Sequence, residues 1–227
     1  MRKGGGVIQN QGMRAAVVIT ALVVGMVFGI GFDDYKSINC ELSFSSYCQG
    51  PLDSKEHNEK VAAKLKVDAK FIAAKIADTP DQRVDIAIAL HACDTATDDA
   101  LFWAVKNKAK VVMSAPCCMH ELQTQIKDSP EPWGLLTKYG LVKERLVDLM
   151  TDSLRAQILK LLGYRVDIVE FIGGEHTARN ILIRAVFTGA RPSQIEITRY
   201  EELLKQWQIK PYLAKLLADE LKAAAAL

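Results

Sequence analysis

Two apolar runs, each ending in a cluster of small, polar and reactive side chains, constrain the fold of this chain more than any other feature. The runs are Ile86–Leu90 and residues 111–113, and one amphipathic segment separates them. Strands that are buried on both faces of a parallel sheet have this composition, so the pattern predicts a βαβ unit. A right-handed crossover brings both strand ends to one edge of the sheet. The reactive side chains after the two runs should therefore be neighbours in space: His91, Cys93, Asp94, Cys117, Cys118 and His120.

Histidine and cysteine are concentrated in these two clusters. The chain has four histidines and five cysteines, and the clusters hold two of the histidines and three of the cysteines. Open α/β sheets bind their ligands in the crevice outside the carboxyl ends of the strands. The sequence therefore predicts a binding or catalytic site at this edge.

The two clusters also carry a resemblance to a known family. Residues 91–98 (HACDTATD) and 115–122 (APCCMHEL) resemble the hallmark of a family of S-adenosylmethionine-dependent methyltransferase domains. A weaker likeness, in the His-x-Cys and Cys-Cys-x-His blocks, links the chain to enzymes that 2′-O-methylate tRNA. The main likeness covers roughly residues 57–189. Further blocks of it lie at 143–145, 151–155, 162–164 and 175–185.

This resemblance implies an α/β fold with a Rossmann-like, mostly parallel sheet flanked by helices. Its last two strands should form an antiparallel pair, 164–172 with 180–187, after a helix over 142–162 that Gly163 closes. A shorter helical piece before it should end at Gly140 as a C-cap. The resemblance stops after residues 191–192, and the residues beyond it predict two C-terminal helices, 198–208 and 211–227.

The resemblance implies that the chain is an S-adenosylmethionine-dependent methyltransferase of unknown acceptor, with RNA as one candidate. A base helps when the acceptor is a hydroxyl or an amine. Asp94 is the first candidate, since it lies in the strand-end loop before Thr95 and Asp98, whose spacing predicts a helix cap. His91 and His120 are the other candidate catalytic residues.

The remaining predicted site residues fall on two sides of the cleft. The predicted cofactor-binding residues are Gly29, Gly31, Glu41, Asp78, His91 and Cys93. The predicted substrate-side residues are Cys117, Cys118, Glu175 and His176. Some have plainer interpretations: Glu41 as a surface acid, and 173–179 as a hairpin loop held by local hydrogen bonds.

The N-terminal motifs depart from the family pattern. The family has an Asp-x-Gly-Cys-Gly loop after its first strand, where this chain has Gly25, Gly29 and Gly31 without the acid. Lys75 stands where the family usually has an acid. These departures support an alternative function, a non-catalytic, methyltransferase-like binding module. Another alternative is that the sequence before His57 is not native to the domain.

The apolar run 15–32 has three interpretations. It reaches the lower length limit of a membrane span, and basic residues before it would leave the N-terminus in the cytosol. It is longer than the apolar part of most signal peptides. It also suits the first strand and helix of the core. Since export would separate a thiol-bearing domain from its cytosolic cofactor, we expect a cytoplasmic protein, with a membrane anchor as the alternative.

The cysteines and the net charge indicate which compartment, metal and nucleic-acid partners to expect. An odd number of cysteines, two of them adjacent, does not make a disulfide framework, which indicates a reducing compartment. Adjacent cysteines seldom serve one zinc ion, so no metal is expected. A net charge of +2 neither requires nor excludes RNA. The expected organisation is a disordered N-terminus (1–14), a methyltransferase-like domain (15–190) and a C-terminal helical extension (191–227).

Overall fold

The computed structural model describes residues 15–19, 42–45, 60, 63–64, 69–72, 76–90, 92, 94–170 and 180–225. Within them, seven strands form one sheet in the order β3-β2-β1-β4-β5-β7-β6. The strands are β1 (Ala15–Ile19), β2 (Leu42–Ser45), β3 (Ala69–Ile72), β4 (Ile86–Leu90), β5 (Val111–Ala115), β6 (Tyr164–Glu170) and β7 (Ile181–Phe187).

Strands β1 to β5 pair in parallel, whereas β7 runs antiparallel to both β5 and β6. This arrangement confirms the predicted fold class, a Rossmann-like and mostly parallel sheet with an antiparallel last pair. The strand order reverses between β1 and β4, because β2 and β3 lie on one side of β1 while β4 and β5 lie on the other. That reversal is where ligands of such sheets bind.

Helices lie between β4 and β5, between β5 and β6, and after β7. They are α1 (Thr95–Lys106), α2 (Glu121–Gln125), α3 (Gly134–Thr137), α4 (Gly140–Leu161), α5 (Gln194–Trp207), α6 (Tyr212–Leu216) and α7 (Ala218–Ala225), with a 3-10 turn at Ile76–Asp78. The predicted antiparallel pair is β6 and β7. Of the two predicted C-terminal helices, the first begins four residues earlier, at Gln194, and the second is divided into α6 and α7.

The main core lies on one face of the sheet. Small and branched residues of the strands meet the apolar faces of α1, α4 and α6 there. Members of this core that are almost fully buried are Val112, Ile183, Leu101, Ala104, Ile158, Leu159, Leu213 and Leu217. Since Leu213 and Leu217 belong to it, α6 and the residue that follows it pack on the sheet domain.

A second apolar cluster supports the region around α2. It joins Leu122 and Ile126 to Val147 and Leu154 of α4, with Trp207 at the end of α5. Burying such side chains stabilises by roughly 1.5 to 3 kcal/mol each. The short helix α2 is therefore held by packing against α4 and α5, because five residues are too few to form a stable helix alone.

The described part of the apolar run 15–32 is strand β1. Residues Ala15–Ile19 pair with β2 on one side and β4 on the other. Residues 20–32 lie outside the described part of the chain. No helix among the described residues has the length and apolar character needed to cross a membrane.

Two predicted helix boundaries are wrong. Gly140 was expected to end a helix as a C-cap, but it is the first residue of α4, because the extended backbone of Tyr139 separates α3 from α4. Thr95 was expected to be an N-cap, but it is the first helical residue, and Asp94 precedes it without a side-chain capping bond. Asp98 was expected to complete that cap, and it instead pairs with Arg155.

Candidate functional site

The carboxyl ends of β4 and β5 lie side by side. Leu90, the last residue of β4, is paired with Ala115, the last residue of β5, and with Ile19, the last residue of β1. The two turns that follow β4 and β5 then meet directly, since the backbone N–H of Asp94 donates to the carbonyl oxygen of Cys118 at 3.0 Å. The predicted convergence of the two clusters is confirmed at this bond.

The Asp94 carboxylate joins the same two turns a second time. Its Oδ1 atom accepts the backbone N–H groups of His120 at 2.8 Å and Glu121 at 2.9 Å. These are amides at the start of α2, where helical N–H groups lack partners within the helix. The prediction that Asp94 has no capping role was wrong. Asp94 caps α2, whose first amides lie 26 and 27 residues further along the chain, and does not cap α1, which it precedes.

The Oδ2 atom of Asp94 accepts no hydrogen bond from any described residue, and Asp94 itself is partly exposed. One oxygen therefore fixes the orientation of the carboxylate, while the other can accept a proton or a hydrogen bond. Whether it does so in catalysis stays a prediction.

The turn after β5 presents two thiols and an imidazole. The Sγ atoms of Cys117 and Cys118 lie 3.7 Å apart, and both residues are partly exposed. His120 is exposed, whereas Met119 between them is buried. The backbone of this turn is joined to Asp94 at Cys118, His120 and Glu121.

A buried ion cluster lies beneath the Asp94 turn. Arg155 of α4 donates from Nε and Nη2 to the two carboxylate oxygens of Asp98 at 2.9 and 2.8 Å. Its Nη1 atom donates to Asp152 at 3.2 Å. All three residues are at most 5% exposed. A lone arginine on a helix is usually exposed, but Arg155 is buried between these two carboxylates.

Burial and charge together set the pKa values in this cluster. Burial is the main influence on Asp152 and raises the pKa of that carboxyl to about 6, against the lowering effect of Arg155. Asp148 and Asp98 add to the rise through their charges. Burial alone would lower the pKa of Arg155, but its hydrogen bonds and ion pairs with the two carboxylates outweigh burial and raise it.

This buried cluster was not predicted, although the sequence of α4 carries a signal for it. Asp148, Asp152, Arg155 and Leu159 recur at intervals of four and three residues, which places them on one stripe of the helix. Leu159 is fully buried. Charged residues in line with a core leucine indicate buried pairing rather than a solvated face.

The other predicted site residues are only partly covered by the structure. Asp78 is exposed at the end of the 3-10 turn, whose Ile76 packs with Ala92 and Ala96 beside the end of β4. Within the described parts of the chain, no three His, Cys, Asp or Glu side chains converge as metal ligands would. Seven predicted residues lie outside the described residues: Gly29, Gly31, Glu41, His91, Cys93, Glu175 and His176.

Comparison with known proteins gives one family match and several distant folds. Residues 51–125 match a family model described as a methyltransferase domain. That range contains both strand-end turns and ends at the last residue of α2. No curated protein matches the chain.

The solved structures that resemble this chain share little sequence with it. A candidate rRNA methylase from Clostridium thermocellum has 11% identity and a TM-score of 0.44, over 78% of this chain and 88% of that one. A geranyl diphosphate methyltransferase in complex with SAM has 10% identity and a TM-score of 0.45, over 78% and 79% of the two chains. The N-methyltransferase NodS from Bradyrhizobium japonicum WM9 has 13% identity and a TM-score of 0.36, over 77% and 83%.

Proposed function

We propose that this protein is an S-adenosylmethionine-dependent methyltransferase whose acceptor binds at the carboxyl edge of β4 and β5. The observation that carries the proposal is the junction of the two strand-end turns through Asp94, at the edge where the strand order reverses. The match of residues 51–125 to a methyltransferase domain supports it, because both turns fall inside the matched range.

The cofactor would occupy the crevice between the ends of β1 and β4. Ile19 and Leu90, the last residues of these strands, are paired, so both strands end at the same level of the sheet. The Asp94 carboxylate at this edge suits a ligand that carries a positive sulfonium, since opposite charges attract strongly near a protein surface. When bound, S-adenosylmethionine supplies an activated methyl group. Asp78, His91 and Cys93, with Gly29, Gly31 and Glu41, are the residues proposed to hold it.

Asp94 is proposed to receive the proton of the acceptor. Its Oδ1 atom is fixed by the amides of His120 and Glu121, so Oδ2 is held in one orientation for an acceptor hydroxyl or amine. A positioned base of this kind contributes typically ~10² to 10⁴-fold to the rate. Holding donor and acceptor in line contributes on the order of 7 to 11 kcal/mol.

The residues proposed for the acceptor side are Cys117, Cys118, Glu175 and His176, and His91 and His120 are the further candidate bases. RNA is the first acceptor class to test, and the net charge of +2 is compatible with it. A transfer assay with methyl-labelled S-adenosylmethionine, run on separate RNA, protein and small-molecule fractions of a cell lysate, would identify the class that takes the label.

Calorimetric titration with S-adenosylhomocysteine tests the proposal. Wild-type protein should release or absorb heat with a saturable isotherm and show a raised melting temperature. Asp167→Ala is a control for the loss of a carboxylate away from the candidate site, because Asp167 is exposed and pairs with Arg184 between β6 and β7. This variant should bind the ligand as the wild type does. No heat and no thermal shift at millimolar ligand would reject the proposal in favour of a non-catalytic binding module.

A further inference from the structure

The buried Arg155 makes one hydrogen bond besides those to its ion-pair partners Asp98 and Asp152. Its Nη2 atom donates to the backbone carbonyl oxygen of Asp94 at 2.9 Å, in addition to its bond with Asp98. The same carbonyl accepts the backbone N–H of Thr97 at 3.1 Å, at the start of α1. Arg155 is 61 residues away in sequence, so helix α4 reaches the Asp94 turn directly.

Asp94 has an unusual backbone conformation that needs support. Its φ is 51° and its ψ is −122°, a combination that glycine adopts far more readily than aspartate. Backbone strain of this kind costs of order 1 to 3 kcal/mol and persists only where the surrounding structure enforces it. The carbonyl bond to a buried guanidinium is such an enforcing contact.

The strained conformation has a direct effect on the site. With the carbonyl turned toward α4, the N–H of Asp94 points to Cys118 and its Oδ1 atom to the start of α2. The carbonyl oxygen, the N–H group and the Oδ1 atom of Asp94 thus each bind a different part of the chain. Rotation of this backbone would break the two connections between the strand-end turns.

We infer that Arg155 is the positioning residue of this site: it holds Asp94 in the conformation that joins the turns after β4 and β5 and orients the Asp94 carboxylate. Its meaning for catalysis rests on the proposed methyltransferase function. The geometry of a guanidinium suits this role, because its planar fork binds Asp98 with two bonds while Nη2 keeps a second N–H for Asp94. A lysine, with one nitrogen, cannot span both partners in this geometry.

Hydrogen exchange resolved to single amides by NMR tests the inference in Arg155→Lys. The amides to follow are those of Asp94, His120 and Glu121, whose acceptors depend on the Asp94 conformation. Their protection should fall by ~10-fold or more, whereas amides of the β6–β7 pair should change by less than ~3-fold. An equal fall throughout the sheet, or no fall at the three amides, would overturn the positioning role.

Asp152→Asn is the matched control. It removes a charge from the same cluster but leaves the bond between Arg155 and the Asp94 carbonyl in place, so protection at the three amides should equal that of the wild type. If Arg155→Lys does not fold, the variant Arg155→Met with Asp98→Asn and Asp152→Asn removes all three charges of the cluster together. It should show the same selective loss, and unchanged protection at the three amides would again overturn the role.

Addition of S-adenosylhomocysteine separates this inference from the proposed function. The ligand should increase protection of the three amides in the wild type and do so less in Arg155→Lys. If the ligand changes neither protein while the variant still loses protection selectively, the positioning role holds and the cofactor assignment fails.

Discussion

The two oxygens of the Asp94 carboxylate differ in their hydrogen bonds. Oδ1 accepts two amides at the start of α2, while Oδ2 has no partner among the described residues. Two substitutions can separate these roles, because asparagine keeps an oxygen that accepts N–H groups and alanine does not.

Asp94→Ala and Asp94→Asn should both lower methyl transfer by ~10² to 10⁴-fold if Oδ2 is the base. Only Asp94→Ala should also deprotect the amides of His120 and Glu121, since asparagine can still accept them. Initial rates with labelled S-adenosylmethionine and hydrogen exchange measure the two effects on the same samples. Full activity in Asp94→Asn would show that Asp94 acts through structure alone.

The sequence placed Asp94 at the site but could not supply its contacts. Its partners His120 and Arg155 lie 26 and 61 residues away, and a hydrogen bond over such separations depends on the packed backbone. The burial of Arg155 could not be predicted either, because a lone arginine on a helix is usually exposed. The Arg155 guanidinium can be buried because Asp98 and Asp152 together compensate for its loss of hydration.

At the scale of elements, the apolar runs predicted the strands well because burial on both faces leaves an unbroken signal. The runs 86–90 and 111–113 became β4 and β5, with β5 extending to Ala115. Helix ends were harder to predict, as Gly140 shows: glycine is common after a helix, yet here it begins one. Gly163 was predicted correctly to close α4, and its φ of +90° explains the choice of glycine.

Gly163→Ala and Gly189→Ala should each destabilise the protein, because both glycines have positive φ, 90° and 70°. An added Cβ would make only ordinary contacts at Gly163, the nearest at 3.4 Å, and Gly189 has open space. The backbone conformation is therefore expected to cost of order 1 kcal/mol at either site. Chemical denaturation measures both losses, and a much larger loss at one site would show that packing rather than backbone conformation decides it.

At the scale of the whole molecule, the buried cluster couples the site to global stability. It joins α1 to α4 through Asp98 and Arg155, beside the second apolar cluster that holds α2 and α5. It contains two carboxylates, Asp98 and Asp152, for one cation, with Asp148 nearby. An unbalanced buried charge is unfavourable, so a proton on one carboxyl relieves it.

Asp152→Asn should therefore stabilise the protein at high pH and leave it nearly unchanged at low pH. Burial raises the pKa of Asp152 from 3.8 to about 6, so the folded state binds a proton more tightly than the unfolded state does. Linkage then makes the stability contribution of Asp152 fall as pH rises from about 4 to about 6 and stay low above that. Asparagine resembles the protonated acid at every pH.

The free energy of unfolding of the variant minus that of the wild type should rise across this window to about 1 to 3 kcal/mol at pH 8. Denaturation at pH 4 to 8 measures this difference, and a flat or falling curve would show that Arg155 neutralises Asp152 fully.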